Sequence, residues 1–138
     1  MDAKLSTHGL HDAAQMGMRT AIGVIFIVHG FGKFGNPGFG GWISSMGIPA
    51  EMQIPIALAE FIPGILLLLG VLTRISASLI SIVMLGAIFL VKGGTSLTGD
   101  GGYEFDLILL ADCLVVIVAG PGRVSLSHVL KKVPRVLQ

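Results

Sequence analysis

Six ionisable residues of this 138-residue chain stand where apolar sequence should exclude them: His29, Lys33, Glu60, Lys92, Glu104 and Asp112 lie within or beside long hydrophobic runs. Charge at bilayer depth is costly, so function is the first reading for a group retained there. An imidazole and a carboxylate can exchange protons with a bound substrate, and an ammonium can stabilise a developing anion. His29 and Lys33 are one helical turn apart, which makes them a natural pair. Against this stands a structural reading: Lys33 carries its amine to the interface on its own stem, and the others hydrogen-bond neighbouring helices.

Four apolar segments must position these groups: 16–34, 53–72, 75–91 and 103–119. At a rise of about 1.5 Å per residue each covers about 25–30 Å, close to a hydrocarbon core of about 30 Å. The last two are at the short end. None alternates as a barrel strand would, and backbone groups in lipid must be satisfied internally. The expectation is an all-α membrane protein: a four-transmembrane-helix bundle with an interfacial segment after the first helix. The composition agrees, since 53% of residues are hydrophobic and only 12% charged, against about 25% in soluble domains. Fifteen mostly polar residues precede the first span, and no cleavage site follows it, so it reads as a retained span.

Four spans place both ends of the chain on one side. Lys4, Arg19, Arg74, Arg123, Lys131, Lys132 and Arg135 would share it, with Lys33 and Lys92 on the other. This positive-inside bias predicts cytoplasmic termini in a prokaryotic cytoplasmic membrane. The six candidates then gather in the outer half, where charges paired across helices can remain ionised. Asp106 reads as an exposed interfacial residue, and Arg19 as a boundary charge. Pro63 and Gly64 should kink the second span and free the carbonyl of Ala59 beside Glu60. Ala57, Glu60 and Gly64 share one narrow face that a neighbouring helix can approach closely. The stretch after the first span, anchored by Trp42, should lie at the outer interface and could cover the polar site. Residues 1–15 form a polar tail, 16–122 the membrane domain, and 123–138 a basic amphipathic tail facing anionic lipid.

Several chemistries are disfavoured. With nine Lys or Arg against eight Asp or Glu, no basic run tracks nucleic acid. The single Cys113 excludes intramolecular disulfides and CxxC chemistry. A bis-histidine haem needs two intramembrane histidines, and only His29 qualifies. There is no dinucleotide fingerprint. A metal held by His29, Glu60 and Glu104 would need three helices to converge, and none is expected. Covalently bound cofactors are not expected either; quinone or lipid remains as a candidate ligand.

The pattern Arg19-x3-Gly23-x2-Phe26-x2-His29-Gly30-x2-Lys33-Phe34 resembles the first-helix motif of the DoxX family of small membrane proteins. Three further stretches fit in order: Glu60-x3-Gly64 continuing to Gly70-Val71-Leu72-Thr73-Arg74, then Gly101-Gly102-Tyr103-Glu104, then Gly120-Pro121-Gly122-Arg123-Val124-Ser125-Leu126. The likeness runs from Arg19 to Leu126. Many members continue the last motif into an acid, where this chain has Ser127 and His128. The resemblance implies a four-helix integral membrane protein associated with oxidoreductases, among whose relatives are quinone-reducing thiosulfate oxidoreductase subunits and a component of oxidative-stress defence. The expectation is an accessory subunit of a membrane oxidoreductase, not catalytic alone, with a quinone or lipophilic-substrate pocket. A structural or assembly subunit and a small ion or solute permeation protein are the alternatives. Partners are membrane lipid and other integral membrane subunits or further copies of the chain.

Overall fold

The computed structural model describes residues 9–130, 134 and 136–138. Helix α1 runs Gly9–Phe34 and α2 Pro37–Ser45. A 3-10 turn, Ala50–Met52, leads into α3, Gln53–Leu69. Helix α4, Thr73–Gly86, continues as a π-helical turn over Ala87–Val91, and α5 spans Glu104–Ala119. A single turn, α6, covers Leu126–Val129. No strand occurs among the described residues.

Three stretches are long and apolar enough to cross a membrane: Gly9–Phe34, Ala50–Leu69 and Thr73–Val91. The segment expected as a fourth span forms the apolar helix α5, whose 16 residues fall short of that length. Helix α1 packs on α3, α3 on α4, α4 on α5, and α5 returns to α1. Ile22, Phe26, Leu67, Ile80, Leu109 and Cys113 form the shared core.

The α1–α3 pair is the closest of these contacts, and glycine makes it so. A Cβ on Gly30 would sit 2.7 Å from the Phe61 amide nitrogen and 2.8 Å from the Ala57 carbonyl oxygen. One on Gly23 would sit 2.7 Å from the Gly64 carbonyl oxygen, and one on Gly64 2.9 Å from that of Gly23. The two backbones therefore touch along an antiparallel seam, the small-residue packing that drives association in lipid. The expected close approach at Ala57 and Gly64 is met by Gly30 and Gly23.

Boundaries differ from the sequence reading for local reasons. Helix α1 begins at Gly9, so 9–15 are helical and not a loose tail; Asp12 in its first turn pairs with Arg123 at 3.1 Å and also accepts the Arg123 amide. Helix α3 stops at Leu69, short of 72, because Gly70 turns left-handed at φ 72°. Left-handed backbone is the ordinary helix stop for glycine. Helix α3 runs continuously through Pro63. Lys4, Lys131, Lys132 and Arg135 of the predicted tails lie outside the described residues.

Gly32, on the same helix as Gly30, has nothing within 4 Å of its Cβ position. Gly30→Val should therefore lower the stability of the protein in mild detergent by about 2 kcal/mol or more, as overpacking does, whereas Gly32→Val should leave it nearly unchanged. Parallel thermal unfolding of the two variants checks this; equal losses would refute the seam.

Candidate functional site

One turn beyond Gly30, the seam delivers Lys33 to Glu60. The ammonium of Lys33 donates to Oε2 of Glu60 in an ion pair between α1 and α3. Glu60 is 4% exposed and Lys33 half-buried, so the pair is shielded from lipid on most sides. Gln53, in the first turn of α3, locks the arrangement by donating through Nε2 to the carbonyls of Lys33 at 2.7 Å and Asn36 at 2.8 Å. The Lys33 carbonyl is in the last turn of α1, where the helix supplies no donor, and the Asn36 carbonyl, which caps α2, also accepts from the Phe39 amide at 3.1 Å.

A cavity of about 270 Å³ opens against this pair. Lys33 and Glu60 are its charged residues, and Trp42, Met46 and Ile48 close it from α2 and the turn that follows. The Phe39 ring centre lies 5.6 Å from the Lys33 ammonium and 5.6 Å from the Trp42 ring, so an aromatic pair faces the cation. Such a stack holds a cation by its ring quadrupole. Ala59 lines the cavity from α3, and Gly86, Ala87, Leu90 and Val91 line it from α4 and its π turn. Each of those walls departs from α-helical hydrogen bonding at one point: Pro63, within the continuous α3, offers no amide to the Ala59 carbonyl, and the Lys92 amide reaches back five residues to the Ala87 carbonyl at 3.0 Å. π turns collect at functional positions.

The structure brings together only part of the six-residue set. Lys33 and Glu60 meet. Lys92 instead pairs with Asp106 at 2.5 Å and donates to the Gly102 carbonyl at 2.9 Å, closing the loop that leads into α5. Asp106 is 8% exposed, which corrects its reading as an interfacial surface residue. Glu104 is exposed in the first turn of α5, and Asp112 is half-buried further along it. His29 is exposed, its ring 6.4 Å from that of Phe26, and it does not line the cavity. A step of one residue from Gly30 turns about 100° around the helix, enough to take His29 off the seam. The expected single cluster is thus two ion pairs with His29, Glu104 and Asp112 outside them. Among the described residues, no three His, Cys, Asp or Glu side chains come together as a metal site.

Arg19, which the sequence places as a boundary charge, is among the most buried side chains, at 1% exposed. Its Nη1 donates to the Leu67 carbonyl at 2.9 Å and Nη2 to the Val124 carbonyl at 2.5 Å. The guanidinium thus ties α1 to the end of α3 and to the segment after α5. A Cβ on Gly70 would collide with it. The signal was present in the spacing: Arg19, Gly23, Phe26 and Gly30 fall on one helical stripe.

The DoxX family model matches residues 14–93. The chain is 36% identical over 111 residues to a Bacillus subtilis protein named "Putative oxidoreductase CatD", covering 80% of this chain and 81% of that one. It is 34% identical over 130 residues to "Uncharacterized membrane protein Rv3486" of Mycobacterium tuberculosis, with 83% and 80% covered. It is 30% identical over 126 residues to "Inner membrane protein YqjF" of Escherichia coli, with 89% and 96% covered. No solved structure matches the chain.

Breaking a buried pair from one side strands a charge, whereas removing both partners does not. Lys33→Met and Glu60→Leu should each cost about 3 kcal/mol of stability, and the double variant should recover most of that loss. Unfolding in mild detergent across the four proteins measures the coupling; additivity within about 0.5 kcal/mol would mean the two groups do not interact.

Proposed function

The chain belongs to the DoxX family, and on that premise we propose that this integral membrane protein is an accessory subunit of a membrane oxidoreductase that binds the ring of a quinone-type substrate at Lys33 and Glu60. The observation that carries the reading is the cavity: apolar and aromatic walls with one ammonium–carboxylate pair as the polar group. That is the composition of a small-molecule site, in which a few polar groups orient an apolar ligand. Its volume of about 270 Å³ lies just below the range of about 300–1,000 Å³ for sites that enclose a whole drug-sized ligand. It suits a single substituted ring whose tail runs out among the helices.

In this reading Lys33 donates to one carbonyl oxygen of the ring and stabilises negative charge as it develops there. Glu60 delivers or accepts the proton. Reduction of a quinone to a quinol consumes two electrons and two protons; the protons pass through Glu60, and a redox-active partner subunit supplies the electrons. The relative named as an oxidoreductase supports that association. Helix α5 serves as the fourth crossing, and the excess of Lys and Arg on the Arg19 side sets both termini in the cytoplasm, with the cavity toward the opposite leaflet.

Trp42 is the single tryptophan of the chain and lines the cavity, so it reports occupancy directly. A short-tailed benzoquinone added to the full chain in nanodiscs should quench its fluorescence along a saturable curve. Lys33→Met, compared with the double variant to control for stability, should raise the Kd at least tenfold. Quenching that rises linearly without saturation, or a Kd unmoved by loss of Lys33, would sink the quinone site and leave the pair a tie between helices.

A further inference from the structure

A second concavity lies at the other end of the bundle, beside the turn between α3 and α4. It is a groove of about 490 Å³ with Ile75, Leu79 and Ile82 of α4 and Ile117 of α5 as its apolar wall and Arg74 at its head. Ile75, Leu79 and Ile82 follow helical spacing, so they make one continuous stripe. Arg74 is held loosely. Its Nε is out of solvent without a hydrogen-bond partner, and its Nη2 reaches the Val118 carbonyl only at 3.5 Å. Among the described residues no carboxylate side chain pairs with it. The Ser78 hydroxyl donates to the Arg74 carbonyl at 2.7 Å and so leaves the guanidinium to other acceptors. Arg74 also sits in the first turn of α4, where the helix dipole adds positive potential.

We propose that this groove is a binding site for one anionic phospholipid, with its phosphodiester on Arg74 and an acyl chain along Ile75, Leu79 and Ile82. Three features select that occupant. The guanidinium suits phosphate, which it can hold with two parallel hydrogen bonds. The apolar stripe runs from Arg74 toward the middle of α4, as an acyl chain runs from its headgroup. Among the described residues no acidic side chain lines the groove to receive a choline or ethanolamine cation, which favours a headgroup of net negative charge. Basic pockets between membrane helices on the positive side bind such lipids.

Native mass spectrometry of the full chain tests this, with the protein released from micelles doped with equal mole fractions of dioleoylphosphatidylglycerol or dioleoylphosphatidylcholine. One phosphatidylglycerol per chain should be retained, at least fivefold over phosphatidylcholine. Arg74→Gln should abolish that preference. Leu79→Trp, on an exposed position, should fill the groove and lower retention with Arg74 intact; it decides the matter alone if Arg74→Gln fails to fold. Excess glycerol 3-phosphate should not displace the lipid. Equal retention of the two lipids, unchanged retention in the variants, or displacement by glycerol 3-phosphate would each overturn the proposal, the last by reducing the site to a simple anion site.

Discussion

The contact between the backbones of α1 and α3 is the constraint on which the rest of the molecule depends. Lipid offers no hydrophobic drive for two apolar helices to associate, so their attraction comes from close packing and polar contacts. Gly23, Gly30 and Gly64 remove the side chains that would hold the axes apart. Once the seam is closed, the residues just past it have little freedom: Lys33 must meet Glu60, and Arg19 must meet the last turn of α3. The ion pair and the arginine clamp are consequences of one packing decision.

Both ends of that seam answer the same problem. A helix leaves its last carbonyls without donors, and in a membrane water is not there to supply them. At the end of α1, Gln53 supplies the donor to Lys33 and ties it to Asn36, the residue that caps α2. At the end of α3, the Gly70 amide donates to the Leu67 carbonyl at 3.1 Å, and Arg19 adds a second donor there and reaches on to Val124. The two polar ends are separated by the 14 steps from Arg19 to Lys33, about 21 Å along α1, with only apolar and small residues on the seam between them. The arginine thus serves as a structural donor, and its charge is secondary to the carbonyls it satisfies.

What could be read from the sequence follows from which residues carry phase information. Apolar length located every long helix, and the Ala57, Glu60 and Gly64 face announced the seam. The site was legible only where it lies on that seam. Lys33 and Glu60 do, and they meet; His29 is one residue from Gly30 and falls off the contact face. Helix α5 is apolar on nearly every side, so its pattern sets no facing direction. The sequence reading therefore favoured Glu104 over Asp106 in the polar set, and the structure pairs Asp106 with Lys92. Arg19 was misplaced because its position at the end of an apolar run matches a snorkelling charge as well as a buried clamp. Its place on the Gly23–Phe26–Gly30 stripe distinguishes the two, and that argument needs the partner helix to be known.

The distribution of irregular backbone completes the picture. Among the membrane-length helices, proline inside a helix occurs at Pro63 and the π turn at Ala87–Val91, and the residues they affect both face the same cavity. Pro63 leaves the Ala59 carbonyl without its helical donor, which lipid penalises by several kcal/mol per unsatisfied group, and the π turn displaces the donor to the Ala87 carbonyl by one residue, to the Lys92 amide at 3.0 Å. Packing alone gives no reason to gather two such departures at one place. A cavity that binds polar atoms does give a reason, because loosened carbonyls next to Glu60 and Lys33 add acceptors to an otherwise apolar wall. The end of the bundle at Arg19 has its own irregularities, with Leu72 left-handed at φ 50° before α4 and the Thr73 and Ser76 hydroxyls buried without a hydrogen-bond partner among the described residues. What sets the opposite end apart is that the aromatic side chains, the ion pair and both departures from helical hydrogen bonding surround one cavity.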